Sequence, residues 1–186
     1  MTNFNYDKEY SKIETLEKGE YENCSFNALN LSNANLSGYI FVDCIFKECN
    51  LSSAIMKGTA FRTVSFESCK MLGIQFETAN DFGFSLSFKD CLLGHTSFYQ
   101  KKMKKTIFKN CQLNEVDFTE ADLSESDFLN CNLQNATFNN SILLKTDFRT
   151  AINYTIDPEL NKLKKSKFSI PEIIGLLGKY DIIIEK

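Results

Sequence analysis

The chain has 186 residues, a formal net charge of -3, 43% hydrophobic residues, seven cysteines, one histidine and no tryptophan. This is the length of one ordinary domain, and so mild a charge argues against both a polybasic nucleic-acid binder and an acidic tail. No stretch reaches the ~18–20 apolar residues of a membrane span, and the N-terminal MTNFNYDKEYSK lacks the basic region and apolar run of a signal peptide. Seven cysteines without a C-x-x-C pair, beside a single histidine, argue against a zinc site and for a reducing, cytoplasmic compartment.

Residues 1–15 are expected to cap the first edge of the regular structure that begins after them. Tyr6, Tyr10 and Ile13 have the spacing of a short helix; the other reading is a frayed terminus. From Leu16 a five-residue beat begins. Its centres are Leu16, Tyr21, Phe26, Leu31, Leu36, Phe41, Phe46, Leu51, Met56, Phe61, Phe66, Met71 and Phe76. After a break it resumes at Phe88 and runs through Leu93, Phe98, Met103, Phe108 and every fifth residue to Phe148. Thirteen of the seventeen phenylalanines are centres, so most must be buried. Two residues before each centre in the most regular part sits something small or Val: Cys111, Val116, Ala121, Ser126, Cys131, Ala136, Ser141. Glu14 and Gly19 fill that slot at the start, which predicts regular structure from nearer Tyr21. A period of five matches neither a helix nor a flat strand; it marks a repeat architecture.

The units N-L-S-N-A-N-L-S-G, C-N-L-S-S, E-A-D-L-S and N-C-N-L-Q resemble the A-(D/N)-L-x-x unit of pentapeptide-repeat proteins, over roughly residues 16–168. The resemblance implies an all-β solenoid, a right-handed quadrilateral β-helix with one pentapeptide per side and twenty residues per coil. The sequence tests that independently. Positions twenty apart stack Phe26, Phe46 and Phe66 in one column and Phe88, Phe108, Phe128 and Phe148 in another. Removing two residues at the break joins them into a single ladder. The same correction aligns Cys49 and Cys69 with Cys91, Cys111 and Cys131, with Cys24 and Cys44 one side away. Coils about 4.8 Å apart then give roughly seven coils and a rod on the order of 33 Å.

Residues 77–87 hold the shift and are read as a bulged side with two extra residues, with Gly83 permitting an unusual turn. One coil later Lys101 occupies an inward slot; either its chain snorkels out or the coil bulges there too. The tail, 169–186, predicts a helical cap: Ser169 before Ile170-Pro171 is a helix start, Gly178 a stop, and Tyr180–Ile184 a strand. Ile173, Ile174, Leu176, Leu177, Tyr180, Ile182 and Ile184 are more apolar than a cap needs. They are the expected dimer interface; the alternative is that all fold back on the rod.

Ile156-Asp157-Pro158, Leu163, Lys167-Phe168, Leu176-Leu177-Gly178 and the Ile-rich end are similar in layout to the C-termini of Qnr-type fluoroquinolone-resistance pentapeptide proteins. That resemblance implies a homodimeric rod that mimics DNA and binds DNA gyrase or topoisomerase IV. Qnr-type proteins of Gram-negative bacteria carry longer loops; here only the bulge at Asp81–Leu86 stands in their place.

The candidate partner-binding surface is Asp81, Phe82 and Phe84 with the acids Glu115, Asp117, Glu120, Asp122, Glu125 and Asp127. By register these acids wrap one coil rather than run along the rod, and Glu125 lies between Lys105 and Lys145 in its row. That predicts an inter-coil ion-pair ladder and leaves two readings, a solvated face or a binding surface. Lys101, Lys102, Lys104 and Lys105 form a basic patch read as a solvated face, because a nucleic-acid site wants more basic groups and interleaved aromatics. The cysteines are read as core packing: stacked neighbours at about 4.8 Å exceed disulfide Cβ spacing. His95 falls outside the rod, and no nucleophile–base pair or phosphate loop appears. The expectation is a non-enzymatic, cofactor-free and metal-free interaction protein. Its rival functions are topoisomerase protection and a scaffold with no topoisomerase effect.

Overall fold

The computed structural model describes residues 3–11, 15–180 and 182–185. Its strands are short and all pair in parallel. They are β1 (Asn3–Tyr6), β2 (Glu9–Ser11), β3 (Gly19–Glu22), β4 (Ser25–Asn27), β5 (Ile40–Val42), β6 (Ile45–Lys47), β7 (Ala60–Arg62), β8 (Val64–Glu67), β9 (Leu86–Lys89), β10 (Ile107–Lys109) and β11 (Asp127–Leu129). One sheet has the order β1-β3-β5-β7 and the other β11-β10-β9-β8-β6-β4-β2. Isolated parallel bridges such as Asn30–Asn50, Gln75–Ser97 and Lys102–Asp122 continue the stacking on the remaining sides. This is the quadrilateral β-helix.

The centres and the slots explain the square cross-section. Every centre from Leu16 to Phe148 is buried. On one side nine rings stack face to face: Tyr10, Phe26, Phe46, Phe66, Phe88, Phe108, Phe128, Phe148 and Phe168, with successive centroids 4.4–5.5 Å apart. The ladder expected from Phe26 to Phe148 is therefore longer by a ring at each end. Phe76, Phe98, Phe118 and Phe138 make a second ladder. Small slots keep room beside these rings, and their polar members find carbonyls in the preceding coil. Ser141 Oγ donates to Phe118 O at 2.9 Å, Thr146 Oγ1 to Leu123 O at 2.8 Å, and Cys131 Sγ to Phe108 O at 3.4 Å. A hydroxyl or thiol in the slot is thus buried without being orphaned. All seven cysteines are buried free thiols, and burial pushes the Cys44 thiol up to about 11. The residue two after a centre turns the corner in the left-handed region, as at Asn33 (φ 58°), Glu115 (φ 57°) and Asn135 (φ 58°).

Three expectations need correction. The N-terminal stretch is not a helix: β1 and β2 pair with β3 and β4, so the solenoid extends ahead of Leu16, while Ile13 lies outside the described residues. Tyr10 meets Phe26 after sixteen residues instead of twenty, a shortened first coil. The C-terminal helical cap is two 3₁₀ turns, Ile173–Leu176 and Gly178–Tyr180, and residues 182–185 form no strand. The physical reason is docking. Ile156 N donates to Gly175 O at 2.9 Å, and a Cβ at Gly175 would run into Tyr154 O. The segment must therefore lie close on the last coil, and the short apolar run tracks that surface instead of winding a regular helix.

The third correction concerns Lys101. Its coil does not bulge and its side chain does not snorkel out. Lys101 N donates to Phe98 O and Lys101 O accepts from Asp122 N, the regular pattern, and the residue is only 1% exposed.

Candidate partner-binding surface

The bulge sits where the four-stranded sheet ends. Beyond β7 the register jumps by two: β8 pairs β9 as Val64–Leu86 and Phe66–Phe88, a 22-residue offset. Asn80 N still reaches Thr59 O in the old register, and Val64 N reaches Ser85 O in the new one. Residues 81–84 take up the difference. Phe84 turns inward, half-buried, and packs edge-on against Phe61 (6.3 Å) and Phe76 (6.2 Å). Phe82 turns outward and is 75% exposed. Gly83 joins them at φ +69°.

Lys101 fills the space this creates. Its Nζ donates to Ala79 O at 2.6 Å and to Asp81 Oδ1 at 2.7 Å, and it lies 4.9 Å from the Phe84 ring centroid. One side earlier the corresponding carbonyl, Ile74 O, accepts the backbone N–H of Ser97. At the bulge the backbone is displaced, and an ammonium at the end of a long stem reaches the Ala79 carbonyl instead. A lysine is tolerated in an inward slot because the extra residues bring it both a carbonyl and a carboxylate. Beside it lies a cleft of about 280 Å³ lined by Glu77, Asp81, Tyr99, Gln100 and Lys101. The sequence reading missed Arg62 and Glu77. Arg62 lies 5.3 Å from the Phe82 ring centroid, and among the described residues Arg62 Nε and Glu77 Oε2 are buried without a hydrogen-bond partner. The twenty-residue offset from Phe82 to Arg62 was the available signal.

The structure does not bring the acids together with the bulge as one patch. All but Asp127 are held locally through their side chains. Glu115 Oε2 lies 3.2 Å from His95 Nδ1, Asp122 Oδ2 3.3 Å from Lys104 Nζ, and Glu125 lies between Lys145 (2.9 Å) and Lys105 (3.9 Å), the expected ladder. Glu120 accepts from Gln100 at 2.8 Å, while Asp117 and Asp122 accept the backbone N–H groups of Thr119 and Ser124. Asp127 lies in β11 and bridges Asp147. Burial opposes ionisation of Asp122, but hydrogen bonds from Ser124 and Lys104 hold its carboxyl below the usual range. The hydrogen bond from Lys145 does the same for Glu125. The basic patch loses Lys101 to the interior.

At the C-terminal end, Ile173, Ile174, Tyr180, Ile182 and Ile184 are each about half exposed, Leu177 is half-buried and Leu176 packs on the core. Lys179 Nζ reaches Asp157 at 3.0 Å and Glu159 at 2.6 Å and ties the segment to the rod. No group of acidic, His or Cys side chains suited to a metal occurs among the described residues, and no helix among them is long and apolar enough to cross a membrane.

Comparison with known proteins agrees with this geometry. The profile of the pentapeptide repeat region matches residues 20–81 and 84–155, skipping Phe82 and Gly83. No curated protein sequence matches the chain. A trypsin-treated variant of QnrB1, a plasmid-mediated fluoroquinolone resistance protein, is 17% identical over 100% of both chains with a TM-score of 0.64, a likeness of fold. HetL, a pentapeptide repeat protein involved in heterocyst differentiation regulation from the cyanobacterium Nostoc, is 14% identical over 90% of this chain and 84% of its own, with a TM-score of 0.40. A repeat profile covering most of the sequence, on a four-sided β-helix built from that repeat, places this chain in the pentapeptide-repeat family.

Proposed function

We propose that this chain is a non-enzymatic, cytoplasmic interaction rod that acts as a homodimer and binds a type II topoisomerase, DNA gyrase or topoisomerase IV, protecting it from fluoroquinolones or from toxins that mimic DNA. What carries the reading is the pairing of a rigid rod with an exposed apolar end. Ile173, Ile174, Tyr180, Ile182 and Ile184 form an apolar surface at one end, and clustered exposed apolar groups mark interaction sites. The end-to-end likeness to a fluoroquinolone resistance protein suggests the partner. DNA mimicry through axial rows of acids has little support, since Asp122 and Glu125 face lysines of their own rod and Glu115 lies against His95. The same local pairing favours a second reading, a scaffold for another protein with no topoisomerase effect.

Quinolone susceptibility of cells expressing the chain, run with purified gyrase supercoiling, separates the two. A raised inhibitory concentration and protected supercoiling support the first reading. No shift in either, at protein levels confirmed by blot, leaves the scaffold. For the dimer, sedimentation of the chain carrying Ile173→Glu and Ile182→Glu should give a monomer; an unchanged dimer refutes the interface.

A further inference from the structure

The bulge is built to hold one aromatic ring outside the rod. Each of its residues is fixed by a separate contact. Asn80 Oδ1 accepts the Phe82 N–H at 2.8 Å, and Asp81 O accepts the Phe84 N–H at 3.3 Å. Asp81 is tied to the buried Lys101 ammonium, and Phe84 is wedged against Phe61 and Phe76. The Arg62 guanidinium backs the Phe82 ring, and its stem lies where a Cβ on Gly83 would meet Arg62 Cγ at 3.3 Å. Within this clamp Phe82 stays 75% exposed. Phe82 and Gly83 are also the two residues that the family profile leaves out. A solenoid can omit a bulge, and exposing a ring in water has no folding benefit. An aromatic held on a fixed backbone is the arrangement that interface anchors use, because little freedom is lost when a partner closes over it.

We propose that Phe82 is the anchor through which this rod grips a protein partner, and that Lys101 and Arg62 are the residues that position it. The surroundings set the partner's chemistry. The ring needs an apolar pocket. The Asp81 side chain beside it is 84% exposed while Lys101 holds Oδ1, so the pocket carries a basic group on its rim to meet the carboxylate. The inference rests on the reading of the chain as a partner-binding rod and is independent of which partner that is.

The test replaces Phe82 with the photo-crosslinker p-benzoylphenylalanine in the full chain, with Ile55 and Leu92, also exposed, as control positions. It is run in the cells used for quinolone protection. The expected result is one discrete crosslinked protein from position 82 alone. Excess wild-type chain competes it away and Phe82→Ala does not. Adding Lys101→Met lowers the yield at least about threefold while leaving the control positions unchanged. No species specific to position 82, one competed equally by Phe82→Ala, or a crosslink to a second copy of this chain overturns the anchor. A captured topoisomerase subunit supports both proposals. A different protein with the same competition pattern keeps the anchor and sinks the topoisomerase reading. Phe82→Ala should keep the thermal midpoint of the wild type, so lost competition cannot be assigned to unfolding.

Discussion

Coils 103–148 and the coils around residues 76–103 have the same repeat and handle charge in opposite ways. In the regular part, Glu125 finds Lys105 and Lys145 one coil away on the outer corner. In the disturbed part, Lys101 is inside and its acid, Asp81, is outside. Periodicity explains both. Where the register is unbroken, every interior position repeats its neighbour above and below, so only an apolar or small residue with a carbonyl partner fits. Two extra residues break that equivalence locally, and a charged group can then be satisfied in the interior. The regular stretch is thus scaffold, and the irregular one is where the backbone itself departs from the coil-to-coil repeat.

The largest effect should come from breaking the regular part. Phe128→Asp places an unpaired carboxylate between stacked rings and should abolish folding; circular dichroism and sedimentation check it. Phe128→Ala should cost about 3–5 kcal/mol in urea unfolding, read as a lowered midpoint.

The bulge gives a sharper test. Asp81→Ala removes an exposed carboxylate but leaves a buried ammonium with Ala79 O as its remaining hydrogen-bond partner, and should cost about 2–4 kcal/mol. Lys101→Met removes the charge itself while keeping the stem's volume. It should cost less, about 1–2 kcal/mol for the orphaned Ala79 carbonyl. If replacing the buried lysine costs more than truncating its exposed partner, the account of the clamp is wrong.

Asp147 sits between these extremes. It is 7% exposed and bonded by Arg149 and Lys167, and the Arg149 hydrogen bond outweighs burial to bring its carboxyl down to about 2. Its folded value is thus below the ordinary one near 4. The stability from ionised Asp147 is therefore complete above about pH 4 and is lost as pH falls through about 2. Asp147→Asn should cost about 1–2 kcal/mol at pH 7 and progressively less as pH falls from 4 to 2, measured by urea unfolding across that range. The smallest effect is expected at Glu125, whose ion pairs are exposed. Glu125→Gln should move the thermal midpoint by no more than about 2 °C and less still in high salt.

Much of this molecule was legible because the repeat is its own ruler. Five aligned cysteines, two more stacked one side away, and a column of phenylalanines revealed the twenty-residue coil and located two extra residues before any contact was known. The acids' register foretold the Glu125 ladder. The ends were less legible, because capping segments obey no period. Tyr10 reaches Phe26 through a coil four residues short, and the run Ile173–Leu176 has helix-like punctuation but settles into a 3₁₀ turn against Tyr154. Lys101 was visible as an anomaly, but its partners were not. Asp81 lies one coil of twenty residues before Lys101, but the insertion shifts the neighbouring register to twenty-two, so spacing alone did not single it out.

The sequence by itself determined the five-residue beat and its twenty-residue register, and the resemblance of its units to the pentapeptide repeat implied the four-sided coil that stacks them. What only the tertiary structure decided is the direction each residue of the bulge faces. Phe84 goes in, Phe82 goes out, and Lys101 reaches across to Asp81 and Ala79. Those choices depend on a displaced carbonyl and the space beside three stacked coils. They belong to the packing of separate turns of the chain, and no local pattern records them.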